Sequence, residues 1–141
     1  MSTASIVYRS RTGTTRQLAE EIASHLRTRG VEASVMSVGD CDIQSLAEVD
    51  FLLLGCWTGG LFVIAQHPDE PWLAFARDLP GLARPRVGLF TTYKLVTGSM
   101  FARMRAALEG KISRFDLELK SRNGHLTSAG RLALDQFVGV G

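Results

Sequence analysis

Short apolar runs alternate with segments whose apolar residues recur every three or four positions, from one end of the chain to the other. Ile6-Val7-Tyr8 predicts a short buried strand. From Thr14 to Arg29, Leu18, Ile22 and Leu26 recur every fourth residue with Ala19 and Ala23 beside them, the period of a helix. Gly30 follows where helices commonly end. Val31 to Val38 alternates, placing Val31, Ala33 and Val35 on one face of a second strand. Phe51-Leu52-Leu53-Leu54, after a short polar connection, is a continuous apolar run and predicts a third. Pro71 opens a helix whose Trp72, Phe75, Ala76 and Leu79 share a face. Val87-Gly88-Leu89-Phe90 is another continuous run. Ser99 is placed to cap a helix carrying Phe101, Met104 and Leu108. Phe115, Leu117 and Leu119 alternate with Asp116, Glu118 and Lys120, and a last helix runs from about Ser128 to Val138.

Five strands with helices between them predict an α/β fold, a parallel sheet covered on both faces as a three-layer sandwich. Strands one, three and four are continuously apolar, as central parallel strands are. Strands two and five alternate, as less buried edge strands do. The doubly wound order 2-1-3-4-5 puts two and five at the edges. No repeat, linker or low-complexity tract interrupts residues 1–141, so one domain is expected.

Composition narrows the function classes. Of 141 residues 45% are hydrophobic and 21% charged, an ordinary globular balance. No apolar run approaches the ~18 residues needed to cross a bilayer, and residues 1–6 lead into a strand without a basic leader, so a cytoplasmic location is expected. Cys41 and Cys56 lack the number and spacing of a disulfide framework or metal site and read as reduced thiols. His25, His67 and His125 lie far apart in sequence, so no metal is expected. Through Glu70 the chain carries five Arg against nine Asp and Glu; from Pro71 on, eleven Lys and Arg face five acids. That asymmetry reads either as a docking face for an acidic partner or as charges solvated on scattered helices. Dispersed basic residues, not interleaved with exposed aromatics, argue against nucleic acid.

In a doubly wound sheet, ligands sit beyond the carboxyl ends of the strands, at the switch point between strands one and three. Three loops lie there: Arg9 to Thr15, Gly55 to Gly60 and Thr91 to Gly98. In the first, Ser10-Arg11-Thr12-Gly13-Thr14-Thr15 supplies hydroxyl donors, and Gly13 permits a tight turn with inward amides. The following helix adds unpaired N–H groups and the positive end of its dipole, which suits a dianionic phosphate. An ordinary helix cap with spare threonines is the alternative.

Ser10, Thr12, Gly13 and Thr15, directly after the first strand, form a Ser-x-Thr-Gly-x-Thr pattern that resembles the phosphate-binding signature of flavodoxins. The resemblance extends in order and spacing over nearly the whole chain. The absence of a long insertion in the strand from Ile112 to Lys120 is similar to the short-chain members. It implies a flavodoxin-like fold, non-covalent FMN and electron transfer as a monomer between redox partner proteins, namely a flavin or iron–sulfur reductase and an acceptor.

The same resemblance assigns the other two loops to the flavin ring. In Cys56-Trp57-Thr58-Gly59-Gly60, Trp57 would cover one ring face, adding stacking of order 1 kcal/mol. The Trp57 to Gly60 backbone would turn a carbonyl toward the ring. Trp57 packed under its own loop is the alternative. In Thr91-Thr92-Tyr93-Lys94, Tyr93 would contact the ring from the other side. Trp72, Met100 and Met104 read as core. Many flavodoxins are strongly acidic around the ring, whereas this chain has a pI near 8.8, no acid in either ring loop and Lys94 beside Tyr93. A cation there favours the reduced, anionic ring and implies a less negative potential; a Lys94 that points into solvent is the alternative.

A receiver domain needs acids after strand one and an aspartate ending strand three, where Arg9-Ser10 and Gly55-Cys56 stand. A low-molecular-weight phosphatase needs a cysteine in the first loop, and a dinucleotide fold wants more glycines than Gly13. Beside the electron carrier, two readings stay open. One is an FMN-dependent oxidoreductase of quinone or protoporphyrinogen type, with the apolar segment Leu61 to Pro71, including Phe62, Val63 and Ile64, over the ring. The other is a binding protein without cofactor.

Overall fold

A computed structural model describes residues 2–61 and 64–139. Seven strands and four α-helices follow in chain order: β1 (Thr3–Arg9), α1 (Thr14–Thr28), β2 (Glu32–Ser37), β3 (Phe51–Trp57), β4 (Gly59–Leu61), β5 (Ile64–His67), α2 (Glu70–Asp78), β6 (Arg86–Thr92), α3 (Met100–Ala107), β7 (Leu117–Ser121) and α4 (Ser128–Phe137). Five of the strands form one parallel sheet in the order β2-β1-β3-β6-β7. Numbered within that sheet alone, the order is the expected 2-1-3-4-5.

Each face of the sheet carries its own core, because side chains alternate along every strand. Ala4 and Ile6 of β1, Leu53 of β3, Phe90 of β6 and Leu119 of β7 pack under α1 and α4. Val7, Leu52, Leu54 and Leu89 point the other way, beneath Trp72, Phe75 and Ala76 of α2 and Met100 and Met104 of α3. The continuous apolar runs are thus central strands buried on both sides. Trp72, Met100 and Met104 lie wholly in the core, as expected. Gly30, with φ 80°, ends α1 in the left-handed conformation that its lack of a Cβ permits.

The structure adds three features to the sequence reading. Between β2 and β3 the chain makes only a 3₁₀ helix (Ile43–Glu48), started by Asp42, which accepts a hydrogen bond from the Gln44 N–H at 3.1 Å. Leu46 is its buried anchor in the core, with Ile43, Ala47 and Val49 packed partly buried beside it. Second, β4 and β5 pair antiparallel as a small ribbon, where an apolar loop was expected. Phe62 and Val63 of that segment lie outside the described residues. Third, β3 and β6 run to Trp57 and Thr92, so Cys56, Trp57, Thr91 and Thr92 pair as strand residues instead of forming loops. β-Branched Thr91 and Thr92 suit that conformation. Among the described residues no helix is long and apolar enough to cross a membrane.

Two contacts bear most directly on stability. Gly55 of β3 lies opposite Phe90, and a Cβ built on it would stand 2.1 Å from the Phe90 ring. Asp135 of α4 accepts from His25 Nε2 at 2.8 Å and from Arg29 Nε and Nη2 at 2.8 and 3.1 Å, joining α4 to the end of α1. The Arg29 hydrogen bonds, followed by that of His25, hold the Asp135 carboxyl down at about 2.

Gly55→Ala is expected to destabilise the fold by roughly 1–3 kcal/mol through overpacking, seen as a lower urea midpoint with an unchanged slope. A depressed carboxyl stabilises the fold above its ordinary value and loses that contribution as pH falls toward the folded value. Wild-type stability should therefore decline as pH drops from 3.8 to about 2. Asp135→Asn should flatten that part of a urea-midpoint profile.

Candidate cofactor site

At the carboxyl ends of the strands a cleft of about 700 Å³ opens between the three loops. Arg11, Thr12 and Thr14 line it from the first, Trp57, Thr58 and Gly59 from the second, and Thr92, Tyr93 and Lys94 from the third. Leu95, Val96, Gln66 and Arg122 complete the lining. Its size falls within the ~300–1,000 Å³ usual for small-molecule sites.

The first loop is built around Gly13, the residue preceding α1, whose φ of 96° is left-handed. The Ser10 hydroxyl accepts from the Gly13 N–H at 3.0 Å, which folds the loop on itself. No side chain caps α1, so the amides and dipole of its first turn remain available to an anion. Thr12 and Thr14, their hydroxyls 3.4 Å apart, present oxygen donors at this end of the cleft. Thr15 is buried, and its hydroxyl bonds that of Thr92 at 2.6 Å. Ser10 and Gly13 line a second, smaller hollow beside Arg9 and Arg16 instead. Gly124 backs the cradle so closely that a Cβ there would lie 2.8 Å from the Thr14 carbonyl oxygen.

Trp57 is fixed at the end of β3 by Asp69, which sequence reasoning missed. One Asp69 oxygen accepts from Trp57 Nε1 and Arg9 Nε, both at 2.7 Å. The other accepts from the Trp72 N–H at 3.4 Å, capping α2, and from the Cys56 thiol at 3.6 Å. Burial pushes the Cys56 thiol far above its ordinary range, and burial followed by the charge of Asp42 raises Cys41 to about 11. Both cysteines are free thiols. Arg11 lies over the same indole, its guanidinium carbon 5.1 Å from the Trp57 ring centroid.

Hydroxyls tie the second loop to the third. Thr91 donates to the Cys56 carbonyl at 2.6 Å, so in the 2.8 Å contact between Thr58 and Thr91 it is Thr58 that donates. The Thr58 N–H donates to the Thr92 carbonyl at 2.9 Å. Thr91 and Cys56 are thereby buried beneath the cleft floor, outside its lining. A Cβ at Gly59 would come within 2.9 Å of the His67 carbonyl oxygen, so the ribbon needs glycine there, while Gly60 follows inside β4.

Tyr93 stands on the opposite wall, with Lys120 Nζ 5.8 Å and Arg122 Cζ 5.6 Å from its ring centroid. The next residues are exposed, Leu95 at 55% and Val96 at 38%. The ribbon braces this wall. Ser99 donates to the Gln66 carbonyl at 2.9 Å instead of capping α3 as expected, and Gly98 leaves room for the Gln66 side chain. Among the described residues no Asp or Glu lines the cleft, whereas Arg11, Lys94 and Arg122 do.

Asp69-Glu70-Pro71 carries a readable helix-start signal, but nothing local marks its hold on Trp57. Gln66 and Arg122 have no local signal at all, because the ribbon and the β6–β7 pairing bring them to the cleft. The arrangement joins an uncapped, hydroxyl-bearing helix end to two aromatic walls and a cationic rim. Those features fit a ligand with a phosphate at one end and a flat ring at the other, the architecture of FMN.

Comparison with known proteins agrees. The flavodoxin family model matches residues 6–117. A flavodoxin of Megasphaera elsdenii is 35% identical over 89 residues, 62% of this chain and 63% of the relative. One of Clostridium beijerinckii is 37% identical over 89 residues, 62% of each chain. These matches thus span just under two thirds of the curated relatives. In structure, the two-electron reduced Megasphaera elsdenii flavodoxin aligns with a TM-score of 0.76 at 22% identity, covering 98% of this chain and 99% of that one, which supports the fold. With a family match over most of its length, the chain belongs to the flavodoxin family.

Proposed function

We propose that this protein binds FMN non-covalently in the cleft and passes single electrons between a flavin or iron–sulfur reductase and an acceptor protein. The observation that carries the reading is the meeting, in one cleft, of the uncapped end of α1 with Trp57 and Tyr93. In this reading the first-turn amides of α1, with Thr12 and Thr14, hold the phosphate, and Arg11 adds positive charge beside them. Trp57 and Tyr93 cover the ring and exclude water, with Thr58, Gly59 and Gly60 along its edge. Thr15, Thr91 and Thr92 fix these walls through their mutual hydroxyl contacts, and Asp69 holds Trp57 in orientation. Bound FMN supplies the one-electron chemistry, and the protein tunes it.

Titration with FMN, followed by flavin fluorescence quenching, should give binding tighter than about micromolar; weaker binding would overturn the reading. A hydrogen bond to a charged group is worth roughly 1.5–3 kcal/mol. The double variant Thr12→Ala/Thr14→Ala should therefore weaken FMN about a hundredfold or more and riboflavin, which lacks the phosphate, by less than about twofold. Equal losses would remove these threonines from the phosphate site.

Asp69→Asn should behave in the opposite way. The single oxygen of asparagine can serve either the α2 cap or Trp57 and Arg9, so stability should also fall, by about 1 kcal/mol or more. Asparagine has that one acceptor oxygen for Trp57 and Arg9 and no charge, so FMN and riboflavin should both weaken several-fold, about 1 kcal/mol. An unchanged riboflavin affinity would free Trp57 from this role.

A further inference from the structure

Four exposed cations surround the mouth of the cleft. Arg11 lies over Trp57 on one wall, Lys94 follows Tyr93 on the other, and Lys120 and Arg122 flank the Tyr93 ring. Among the described residues no carboxylate lines the cleft between them, and the nearby Asp69 is engaged by Arg9 and Trp57. Within the ring of charge stand Leu95 and Val96, exposed by 55% and 38%. They are adjacent, and among the described residues the one other large hydrophobic so exposed is Leu132, apart from them on α4. A desolvated apolar centre inside a rim of one charge sign is the anatomy of an electrostatically steered interface.

We infer that this rim is the docking face for an acidic redox partner, a protein whose electron-carrying centre is surrounded by carboxylates. The inference rests on the FMN reading for its purpose, because electron transfer requires the partner to approach the cleft mouth closely. Its charge sign rests on the side chains alone. The partner's carboxylates pair with Lys94, Lys120, Arg122 and Arg11, while its apolar contact covers Leu95 and Val96. Orientation follows from the same pattern, since the cations frame the opening and draw the acidic face over it. A basic partner is repelled by the same rim.

The test uses the FMN-loaded protein, with loading first verified by absorbance near 450 nm. Failure to load overturns the FMN reading and is seen before any partner is added. Two probes follow, a small acidic [2Fe–2S] ferredoxin and a basic c-type cytochrome, both oxidised so that binding is measured without electron transfer. Interferometry should show the ferredoxin bound more tightly than the cytochrome at about 20 mM salt. Its Kd should rise about tenfold or more by about 200 mM as the charges are screened. Lys120→Glu/Arg122→Glu should weaken ferredoxin about tenfold at low salt and remove most of the salt dependence. Leu95→Ser should speed ferredoxin dissociation at high salt, where the apolar contact dominates.

Tighter binding of the cytochrome, or a ferredoxin Kd within about twofold after the charge reversal, would overturn the inference. Sedimentation equilibrium supplies a further check. A dimer dissolved by the same charge reversal would make a second copy of this chain the occupant and would also overturn it.

Discussion

The site depends on one topological constraint: β1 is paired with β2 on one side and β3 on the other. The connections leaving the sheet at that point diverge to opposite faces, one into α1 and the other toward the ribbon and α2. A gap opens between them, as it does in any open α/β sheet that reverses winding direction. The cleft takes its place from that reversal, and its lining includes Thr92 of β6 and Arg122 just past β7, which no local pattern connects with the first loop. The buried strands hold the gap rigidly, since Leu52, Leu53 and Leu54 are fully enclosed between the two cores.

Electrostatics then divide the cleft into parts with different tasks. The α1 end offers backbone dipoles and two hydroxyls, a diffuse positive field suited to an anion. Along the walls, charge is instead local: Arg11 above Trp57, and Lys120 and Arg122 beside Tyr93. The nearby carboxylate, Asp69, is turned inward to Trp57 and Arg9, where it orders the aromatic wall without facing a ligand. A basic chain thus sets two aromatic walls around a cleft that, among the described residues, has no acidic lining.

The helices and the three converging loops were legible because each rests on a local signal. The strand order came from the doubly wound pattern that the central and edge character of the strands matched. Continuous apolar runs marked β1, β3 and β6 as central. Leu18, Ile22 and Leu26 marked the buried face of α1, and Gly13 marked its turn. What escaped was long-range. The β4–β5 ribbon has no alternation to announce it, and the 3₁₀ crossover is too short to show a period. Asp69 reads locally as a helix cap, yet its second task spans 60 residues to Arg9. The hydroxyls of Thr15 and Thr91 look like free donors in the sequence, but partners brought by the sheet engage both.

The hydroxyl contact between Thr15 and Thr92 has a metric consequence. It clamps the first turn of α1 to the end of β6 across 2.6 Å, between two buried residues. The α1 end of the cleft and the Tyr93 wall are thereby tied into one body, set apart by a fixed interval. That body is a gauge: a molecule gripped at both ends must match the interval in its own length. The clamp makes the distance between charge and ring a criterion of selection in its own right, separate from the chemistry of either end.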